Sequence, residues 1–536
     1  MEGQLYDFII VGAGSAGCVL ANRLSEGGRH SVLLLEAGGS DRWPSVQVPI
    51  GYARTFHDAA LNWCYNAEPD TGIDGRSMYW PRGKLLGGSS SINAMVYIRG
   101  QREDFDSWAA RGLAGWSYDE LLPYFRRSEC NSRGADAYHG ARGELAVSDI
   151  GSDCHPVIEH FFDAATELGL PLNNDFNGAQ QEGVGRYQFN IGNGRRASAS
   201  NAFLRPALRR PNLRVLTDAQ ASALEFEGGR VAGVAFRHHG QMRAARVRRE
   251  VILAAGAINT PQLMLLSGLG SASSLREHGI AVQADLPQVG RHLRDHLYCP
   301  YVFRAREPTL NASLSSRRYL AAAALRYAFT RGGVFGTSVN HAGAFLRTEP
   351  GLSRPNMQFY FMPMSLEARP SAIGFHGFAG ITISASPCRP SSTGHIALNS
   401  ADPFSPPRIV TNYLSTDEDV ADMLSGVRFI RKLARTQALS RVIEAEVAPG
   451  PSVRSEAELV ADVRQRANTT FHPVGTCRMG VDPRTSVVDA ALRVHGVAGL
   501  RIADASVFPD MISGNTNAAC IMIGEKAAEE IRNAAG

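Results

Sequence analysis

The opening of the chain carries short apolar runs separated by a glycine-rich turn and a helical stretch. Residues 6–11 and 31–36 are β-rich and almost wholly apolar, which is typical of parallel strands buried on both faces. Residues 18–24, between these runs, continue the glycine turn at 12–17 as a helix. The pattern therefore predicts a βαβ unit at the start of the chain.

A second group of apolar runs follows much later, and Gly228 and Gly229 between two of them are a hairpin signal. The run that ends at the next glycine turn is followed by helical character over residues 260–267, with Pro261 near the first turn. Another helix is predicted at 521–533. The strands of this group are predicted at residues 213–216, 221–226, 231–236 and 250–256.

The composition is that of a globular enzyme and argues against a nucleic-acid-binding protein. The 536 residues are 44% hydrophobic and 20% charged, and the formal net charge is only +4. Almost all of the positive charge is arginine, interspersed with Asp and Glu. Because a nucleic-acid binder concentrates its positive charge in a patch, this distribution does not favour one.

Cysteine usage and hydropathy bear on the compartment. The eight cysteines contain no CxxC pair, so neither a disulfide scaffold nor a cysteine zinc site is expected. Residues 1–11 do not resemble a signal peptide, and no apolar run approaches the roughly 20 residues that span a bilayer. We therefore expect a soluble cytoplasmic protein, with peripheral contact to the inner face of a membrane left open.

The strongest single motif is Gly12-x-Gly14-x-x-Gly17, followed by Glu36 at the end of the second predicted strand. Glycines at this spacing permit a tight turn, close approach of the backbone to a pyrophosphate, and close packing of helix on strand. The helix N-terminus then offers N–H groups to the phosphates, and the acid can accept ribose hydroxyls. The motif predicts a dinucleotide site, and alone it also allows a nicotinamide dehydrogenase.

Four further segments carry polar or glycine-rich signals that are individually weak. The Gly-Gly-Ser-Ser-Ser loop offers unhindered N–H groups to a polar ligand but could be an ordinary turn. His472 precedes a proline, and a lone histidine in that position is more often structural than catalytic. The segments are 80–95, 256–270, 471–480 and the pair 503–506 and 513–518.

Together, and in this order, the five segments resemble the glucose–methanol–choline (GMC) oxidoreductases. Residues 83–93 and 256–270 are similar to that family's two signature patterns, and the resemblance runs from Tyr6 to the C-terminal helix. Within the family, the segments are most similar to bacterial alcohol dehydrogenases that pass electrons to an acceptor, and to choline dehydrogenase.

The resemblance implies an α/β (α+β) fold, in which a Rossmann-like FAD-binding domain with a parallel sheet is interwoven with a substrate-binding domain built on an antiparallel sheet. The FAD-binding domain is expected in three parts, with the substrate-binding domain between them. The expected parts are 1–155, with the flavin-covering loops, 201–297 and 469–536 for FAD, and 156–200 and 298–468 for substrate.

The resemblance also implies the site residues. His472 occupies the position of the family's active-site histidine, and Asn515 that of its His or Asn partner. Ile92 stands where members with a covalent flavin can carry histidine, so non-covalent FAD is expected. The expected FAD contacts are Gly12, Gly14, Ser15, Ala16, Gly17, Glu36, Ala37, Trp63, Arg82, Gly87, Gly88, Ser89, Asn93, Ala94, Met95, Val96, Ala221, Ala255, Gly256, Asp504, Ala505 and Thr516.

On this basis we predict oxidation of a primary aliphatic or aryl alcohol to the aldehyde, by hydride transfer to flavin N5 with neutral His472 as the base. Asn515 would donate a hydrogen bond to the developing alkoxide. The shortage of acids between Cys299 and Ser400 favours a neutral alcohol over choline, because quaternary ammonium sites use aromatic cages, often with a carboxylate. A choline dehydrogenase or oxidase, a hydroxynitrile-lyase type of FAD protein and a non-enzymatic binding protein are the alternatives.

No metal is expected. His292 and His296 have the i, i+4 spacing of one helix face, but no third ligand cluster accompanies them. The electron acceptor could be a quinone, a dye-like compound or oxygen, and the resemblance favours a quinone. In that case the arginine-rich stretch 317–327 could contact a membrane surface, although an ordinary surface helix is the simpler interpretation.

Overall fold

A computed structural model of the chain describes residues 5–369 and 372–535, so residues 1–4 of the predicted N-terminal segment lie outside the described residues. Two seven-stranded sheets dominate this part of the chain. The strands are β1 (Leu5–Val11), β2 (Val32–Leu35), β3 (Tyr65–Asn66), β4 (Tyr79–Trp80), β5 (Glu129–Asn131), β6 (Leu145–Asp149), β7 (Gly183–Arg186), β8 (Gln188–Phe189), β9 (Ile191–Gly192), β10 (Arg195–Arg196), β11 (Leu213–Leu216), β12 (Ala219–Glu227), β13 (Arg230–His238), β14 (Gln241–Leu253), β15 (Leu269–Gly270), β16 (Ala284–Asp285), β17 (Leu297–Ala305), β18 (Ala342–Leu346), β19 (Met357–Met362), β20 (Leu366–Arg369), β21 (Ala372–Phe375), β22 (Gly380–Pro387), β23 (His395–Ala397), β24 (Arg408–Val410), β25 (Ile443–Ala448), β26 (Asn468–Thr469) and β27 (Leu500–Ile502).

Helices cover the first sheet and flank the second. The α-helices are α1 (Ser15–Ser25), α2 (Pro44–Gln47), α3 (Tyr52–Thr55), α4 (Arg102–Ala110), α5 (Tyr118–Ser128), α6 (Glu159–Glu167), α7 (Arg205–Ala207), α8 (Gly256–Leu266), α9 (Ala272–Glu277), α10 (Leu310–Ser315), α11 (Arg317–Thr330), α12 (Asp417–Ala434), α13 (Gln437–Val442), α14 (Glu456–Arg466) and α15 (Asn517–Ala535). Short 3₁₀ turns span Glu26–Gly28, Pro49–Gly51, Thr71–Ile73, Gly88–Ser91, Gly151–Asp153, Pro156–Ile158, Val334–Gly336 and Ala505–Val507, and Ser200–Leu204 is a π-helical turn.

The first sheet has the strand order β11-β2-β1-β14-β13-β12, and β27 also pairs with β14. Its strands β11, β2, β1, β14 and β27 run parallel, whereas β12, β13 and β14 form an antiparallel meander. The predicted βαβ unit is confirmed, because α1 connects β1 to β2. The predicted hairpin is also confirmed, and Gly228 and Gly229 both have the positive φ that a two-residue turn needs.

The prediction for the segment after this meander was wrong in its boundaries. β14 begins at Gln241, and α8 begins at Gly256, so Pro261 lies in the helix interior instead of near its first turn. A proline there cannot donate to the carbonyl four residues earlier, which belongs to Ala257. The Thr476 hydroxyl donates to that carbonyl at 2.7 Å instead. A side chain from far along the chain therefore supplies the hydrogen bond that the helix lacks at the Ala257 carbonyl.

The second sheet is antiparallel and has the order β25-β17-β22-β19-β18-β7, with β26 also pairing with β17. All eight residues of β22 are buried, because this central strand is covered on both faces. Its outermost strand β7 comes from residues 183–186, well before the rest of the sheet. A separate apolar core, which includes Phe359, Phe361 and Ile383, packs around this sheet.

The two ends of the described chain meet beside the first sheet. α1 packs along α15, and β27 extends the sheet next to β14. Arg23 of α1 pairs with the buried Glu525 of α15 at 2.7 Å and with Glu144 at 2.6 Å. Residues from both ends of the chain thus build one wall of the fold. No helix among residues 5–369 and 372–535 has the length and apolarity to cross a bilayer.

Candidate active site

One cavity of about 990 Å³ runs between the two sheets. This volume is at the upper end of the range of about 300–1,000 Å³ for ligand and cofactor pockets. At one end the cavity is lined by Gly12, Gly14 and Glu36, which follow β1 and β2. At the other end it is lined by His472 and Asn515. The cavity therefore has a nucleotide end and a substrate end, and these two names are kept below.

The three glycines of the first motif are required for different reasons. A Cβ at Gly12, where φ is +102°, would lie 2.6 Å from the Ala254 carbonyl oxygen, and a Cβ at Gly17 would lie 1.9 Å from the Gly12 carbonyl oxygen. At Gly14 the nearest atom to an added Cβ would be 3.7 Å away. The protein itself would thus tolerate a methyl group at residue 14, which lines the cavity, so a glycine there serves the close approach of a ligand.

Glu36 closes the nucleotide end. Its carboxylate accepts hydrogen bonds from the backbone N–H groups of Ala13 and Gly38, each at 2.8 Å. Burial raises the pKa of Glu36 to about 7, and the two backbone hydrogen bonds oppose this shift. Each carboxylate oxygen holds one of these bonds and can accept a second one, because a carboxylate has about four acceptor positions. The carboxylate can therefore bind ribose hydroxyls from the cavity.

Asp504 joins two of the sequence motifs at the cavity wall. One carboxylate oxygen accepts from the Gly256 N–H at 2.8 Å and from the Thr260 hydroxyl at 2.6 Å. The other accepts from the Ser506 N–H at 2.8 Å. Burial raises the pKa of Asp504, and these hydrogen bonds oppose the shift. The start of α8 and the Ala505–Val507 turn are consequently held together beside the cavity.

Most of the residues expected from the sequence line this one cavity. Gly17 and Gly87 do not: Gly17 packs against the Gly12 carbonyl, and the Gly87 N–H donates to the Ala13 carbonyl at 2.8 Å. These two glycines support the Gly12 turn on the side that faces away from the cavity. The lining includes Gly12, Gly14, Ser15, Ala16, Glu36, Ala37, Trp63, Arg82, Gly88, Ser89, Asn93, Ala94, Met95, Val96, Ala221, Ala255, Gly256, His472, Asp504, Ala505, Asn515 and Thr516.

At the substrate end, the Asn515 amide nitrogen lies 3.2 Å from His472 Nε2. The Asn515 amide oxygen accepts from Gln358 Nε2 at 3.4 Å, which orients the amide so that its N–H group points to the histidine. The His472 backbone N–H donates to the carboxylate of the buried Asp295 at 2.6 Å. Residues 472 and 515, which the sequence only placed in separate motifs, are therefore in direct contact.

A chain of hydrogen bonds determines which nitrogen of His472 carries the proton. The Cys388 carbonyl, which can only accept, lies 2.9 Å from His296 Nε2, so His296 holds its proton on that nitrogen. His296 Nδ1 is then an acceptor for His472 Nδ1, 3.0 Å away. The Thr470 hydroxyl oxygen, 2.9 Å from His472 Nδ1, can share the same proton. His472 Nε2 is left with its lone pair, which accepts the hydrogen bond from the Asn515 amide and lies at the cavity.

The electrostatic environment keeps both rings neutral. Burial lowers the pKa of His472 well below its ordinary value, and His296 and Arg82 lower it further. Burial lowers the pKa of His296 to about 4. Both histidines are therefore neutral at pH 7, as the hydrogen-bond chain requires, and His472 Nε2 can accept a proton.

No role for His296 is evident from the sequence, and its i, i+4 spacing from His292 does not fall on a helix. Residues 291–296 are not helical: Leu293 and Arg294 form isolated β-bridges to Gly394 and Val474, and His292 has a positive φ. His292 contacts Gln288, whereas His296 contacts His472. No group of three metal-ligating side chains occurs within residues 5–369 and 372–535. No local signal marks His296, because its partners lie far away in sequence.

The rest of the substrate end is largely apolar and aromatic, and the cavity lining also includes the polar residues Arg54, His57, Asn340 and Ser384. The acidic residues that line the cavity, among the described residues, are Glu36 and Asp504, and both belong to the nucleotide end. A cation at the substrate end would therefore meet no carboxylate. The apolar and aromatic lining comprises Ile50, Tyr52, Tyr298, Leu314, Val339, Tyr360, Met362, Met364, Leu366 and Phe375.

Two family models, both described as GMC oxidoreductase, match residues 6–298 and 390–524. The Pseudomonas putida protein named alcohol dehydrogenase [acceptor] is 44% identical, over 98% of this chain and 96% of its own length. Human mitochondrial choline dehydrogenase is 42% identical, over 98% of this chain and 90% of its own length. A structure of Aspergillus oryzae RIB40 formate oxidase, from work on FAD modification in that enzyme, has a TM-score of 0.92 and 28% identity, and covers 100% of this chain and 99% of its own.

Proposed function

The chain belongs to the GMC oxidoreductase family, and from that premise we propose that it is an FAD-dependent enzyme that oxidises a primary alcohol to the aldehyde. The observation that carries this proposal is the contact between His472 and Asn515 at the acid-free end of a cavity whose other end is built for a dinucleotide. A non-enzymatic binding protein would not need a neutral His472 whose Nε2 can accept a proton beside Asn515.

The cavity fits FAD. The room at Gly14, the Glu36 carboxylate and the N-terminus of α1 suit the ADP half, and the loop of Gly88 and Ser89 continues along the cavity. When bound, FAD supplies the acceptor for the hydride that leaves the alcohol carbon. Ile92, which lines the cavity, has no nucleophilic atom for a covalent bond, so we infer that FAD is held non-covalently.

The protein's own part in the reaction is proton transfer and orientation. His472 Nε2 accepts the hydroxyl proton of the alcohol, and the Nδ1–H bond to His296 holds the ring in place during this transfer. The alcohol hydroxyl takes the place of the Asn515 amide on His472 Nε2, and the amide then donates to the alkoxide that develops on the substrate oxygen. Because the site is buried, these dipoles act with little screening by water.

The assignment of chain segments to an FAD-binding and a substrate-binding domain follows the two sheets. We infer that residues 1–155, 201–297 and 469–536 serve FAD binding, and that 156–200 and 298–468 form the substrate-binding domain. The pairing of β27 with the first sheet and of β7 with the second supports this interleaved assignment.

The substrate class is a neutral aliphatic or aryl alcohol. Choline is the second candidate, because a relative named choline dehydrogenase is 42% identical. Recognition of a quaternary ammonium by Tyr298 and Tyr360 alone would lack the carboxylate that often completes an aromatic cage. The apolar substrate end therefore favours the neutral alcohol.

The electron acceptor that we propose is a quinone, with a dye-like compound or oxygen as the alternatives. Support comes from the relative whose name specifies an acceptor. We further propose that the protein is cytoplasmic and associates peripherally with the inner face of a membrane, where a quinone would be found.

Anaerobic mixing of the purified yellow protein with alcohols tests the function. Octanol and benzyl alcohol should bleach the flavin absorbance without added NAD, and choline should do so only at much higher concentration. A flavin that stays oxidised with every alcohol would point to the hydroxynitrile-lyase type of FAD protein. Reduction that occurs only with NAD would point to a nicotinamide enzyme. Parallel turnover assays with oxygen and with a soluble quinone then identify the acceptor.

A further inference from the structure

Helix α11 exposes an unusual amount of apolar surface. Ten large apolar side chains are exposed in the described residues, and three of them, Tyr319, Leu325 and Phe329, lie on this one helix. Phe329 is 82% exposed and Leu325 62%. Single exposed apolar residues need no explanation, but a cluster on one element marks a contact surface.

The exposed apolar residues form a stripe of their own. Leu325 and Phe329 are four residues apart and lie one above the other, with Ala322 continuing the stripe. Ala323 and Tyr327, which are buried, lie two residues from Leu325 and thus on nearly the opposite side of the helix. One stripe packs on the protein, and the other has no covering element in the described part of the chain.

The sequence segment that contains this stripe carries positive charge and no acidic residue. Between Glu307 and Glu349 the sequence contains five arginines and no acid. Arg326 pairs with Asp153 at 2.8 Å. Arg317 and Arg318 at the start of the helix are exposed and have no ion-pair partner among the described residues. The helix therefore combines apolar tips with unneutralised positive charge.

The helix also lies next to the substrate end of the cavity. Leu314, in the preceding helix α10, lines the cavity, and so does Val339 after α11. The Val334–Gly336 turn packs against both α11 and the Pro49–Gly51 turn. Ala53, the second residue of α3 after that turn, is an exposed residue of the cavity lining. The helix thus borders the side from which the cavity is open.

From these observations we infer that α11 is the docking surface for an anionic lipid bilayer. Arg317 and Arg318 attract the anionic headgroups, and Leu325 and Phe329 enter the boundary between headgroups and acyl chains. Basic residues beside exposed aromatic and aliphatic tips are the combination that interfacial helices use. A neutral apolar alcohol dissolved in the bilayer would then have a short path to the substrate end. This path for the alcohol rests on the proposed function, whereas the docking surface does not.

Vesicle flotation of the holoprotein tests the surface. The protein should float with vesicles that contain phosphatidylglycerol and far less with pure phosphatidylcholine vesicles, and added salt should weaken the association. Replacing both arginines (Arg317→Gln with Arg318→Gln) should lower the partition coefficient by about fivefold for each arginine removed. Leu325→Ser with Phe329→Ser should lower it by about tenfold or more.

Matched controls separate this surface from general stickiness. Leu172→Ser with Val481→Ser removes side chains of similar exposure, 58% and 64%, from other surfaces and should leave flotation unchanged. Arg209→Gln with Arg441→Gln removes two exposed arginines elsewhere and should leave it unchanged as well. All these variants should keep normal flavin absorbance and normal turnover of a water-soluble alcohol with a soluble dye, because none of the substituted residues lines the cavity.

Two results would overturn the inference. One is equal flotation of the α11 variants and the unchanged protein, or no preference for phosphatidylglycerol. The other is a lower mass of the α11 variants in lipid-free sedimentation, which would make the helix an interface between copies of this chain. A holoprotein that floats as expected but reduces no alcohol would leave the docking surface intact and refute the proposed oxidation instead.

Discussion

The two ends of the cavity are built by different means. The nucleotide end consists largely of backbone groups and small residues from short contiguous segments, such as the Gly12 turn and the N–H groups that hold Glu36. The substrate end consists of side chains that arrive from many separate elements, among them Tyr52, Leu314 and Phe375. The ADP half is common to the dinucleotide cofactors, so its site can be a fixed local motif. An alcohol site must differ between substrates, and side-chain walls allow this.

The largest test of this contrast is removal of the base. His472→Ala should lower turnover by about 10²–10⁴-fold, the usual contribution of a general base, and should keep yellow bound FAD because the nucleotide end is untouched. Stopped-flow reduction and the absorbance spectrum measure the two effects separately. Near-normal reduction rates would remove His472 from the mechanism.

Asn515→Ala should have the next largest effect, a loss of about 10²-fold in the rate of flavin reduction, because one preorganised donor to the developing alkoxide disappears. Binding of FAD should not change. Asn515→Asp is the harsher variant, since a carboxylate beside the alkoxide would repel it. Unaltered reduction kinetics in Asn515→Ala would show that its contact with His472 is only structural.

His296→Leu should lower the rate by about 10- to 10²-fold through misplacement of the base, with little change in KM. His472 loses the acceptor for Nδ1–H. It also loses the neighbouring ring whose charge, once His296 is protonated at low pH, depresses the pKa of His472, so the acid limb of the pH–rate profile should move to higher pH. His296→Gln keeps a donor and an acceptor and should lose less. His341, another buried histidine whose pKa is lowered to about 4, provides the control, and His341→Leu should leave the profile in place.

Glu36 should make FAD affinity depend on pH. Its folded-state pKa is raised to about 7, and only the ionised carboxylate can accept two ribose hydroxyls. Affinity should therefore rise as the pH increases through 7 and should differ by about tenfold between pH 6 and pH 8 for one linked proton. Fluorescence titration of the apoprotein with FAD measures this. Glu36→Gln should abolish the dependence, and an unchanged slope in that variant would assign the proton to another group.

The smallest effects should be specific to one end. Val339→Ala at the substrate end should raise KM for a long-chain alcohol by about fivefold, because a pocket gains or loses roughly 1–3 kcal/mol for each methylene, and should leave FAD affinity unchanged. Ala221→Val at the nucleotide end should lower FAD affinity and leave KM for the alcohol unchanged. If either variant alters both constants equally, the two ends are not independent.

The same contrast explains how far the sequence could be interpreted. The strands, the hairpin and the glycine turn of the first sheet were predicted in the right places because residues within a short window determine them, although β14 begins at Gln241, nine residues before its predicted start. The role of His296 was not predicted. Its tautomer depends on the carbonyl of Cys388, 92 residues away, and its partner His472 lies 176 residues away. The start of α8 was missed for a similar reason. Thr476, which satisfies the carbonyl freed by Pro261, lies 219 residues from Ala257.

The meeting of α1 with α15 has a consequence for biosynthesis. Chain elongation at roughly 5–20 residues per second leaves β1 and α1 outside the ribosome for about 25–100 s before α15 and β27 are available. During that interval the face of α1 that packs on α15 is uncovered, and Arg23 lacks Glu525, one of its two acidic partners. Elements that are made early are thus completed late, and chaperone binding to the nascent chain should concentrate on β1 and α1.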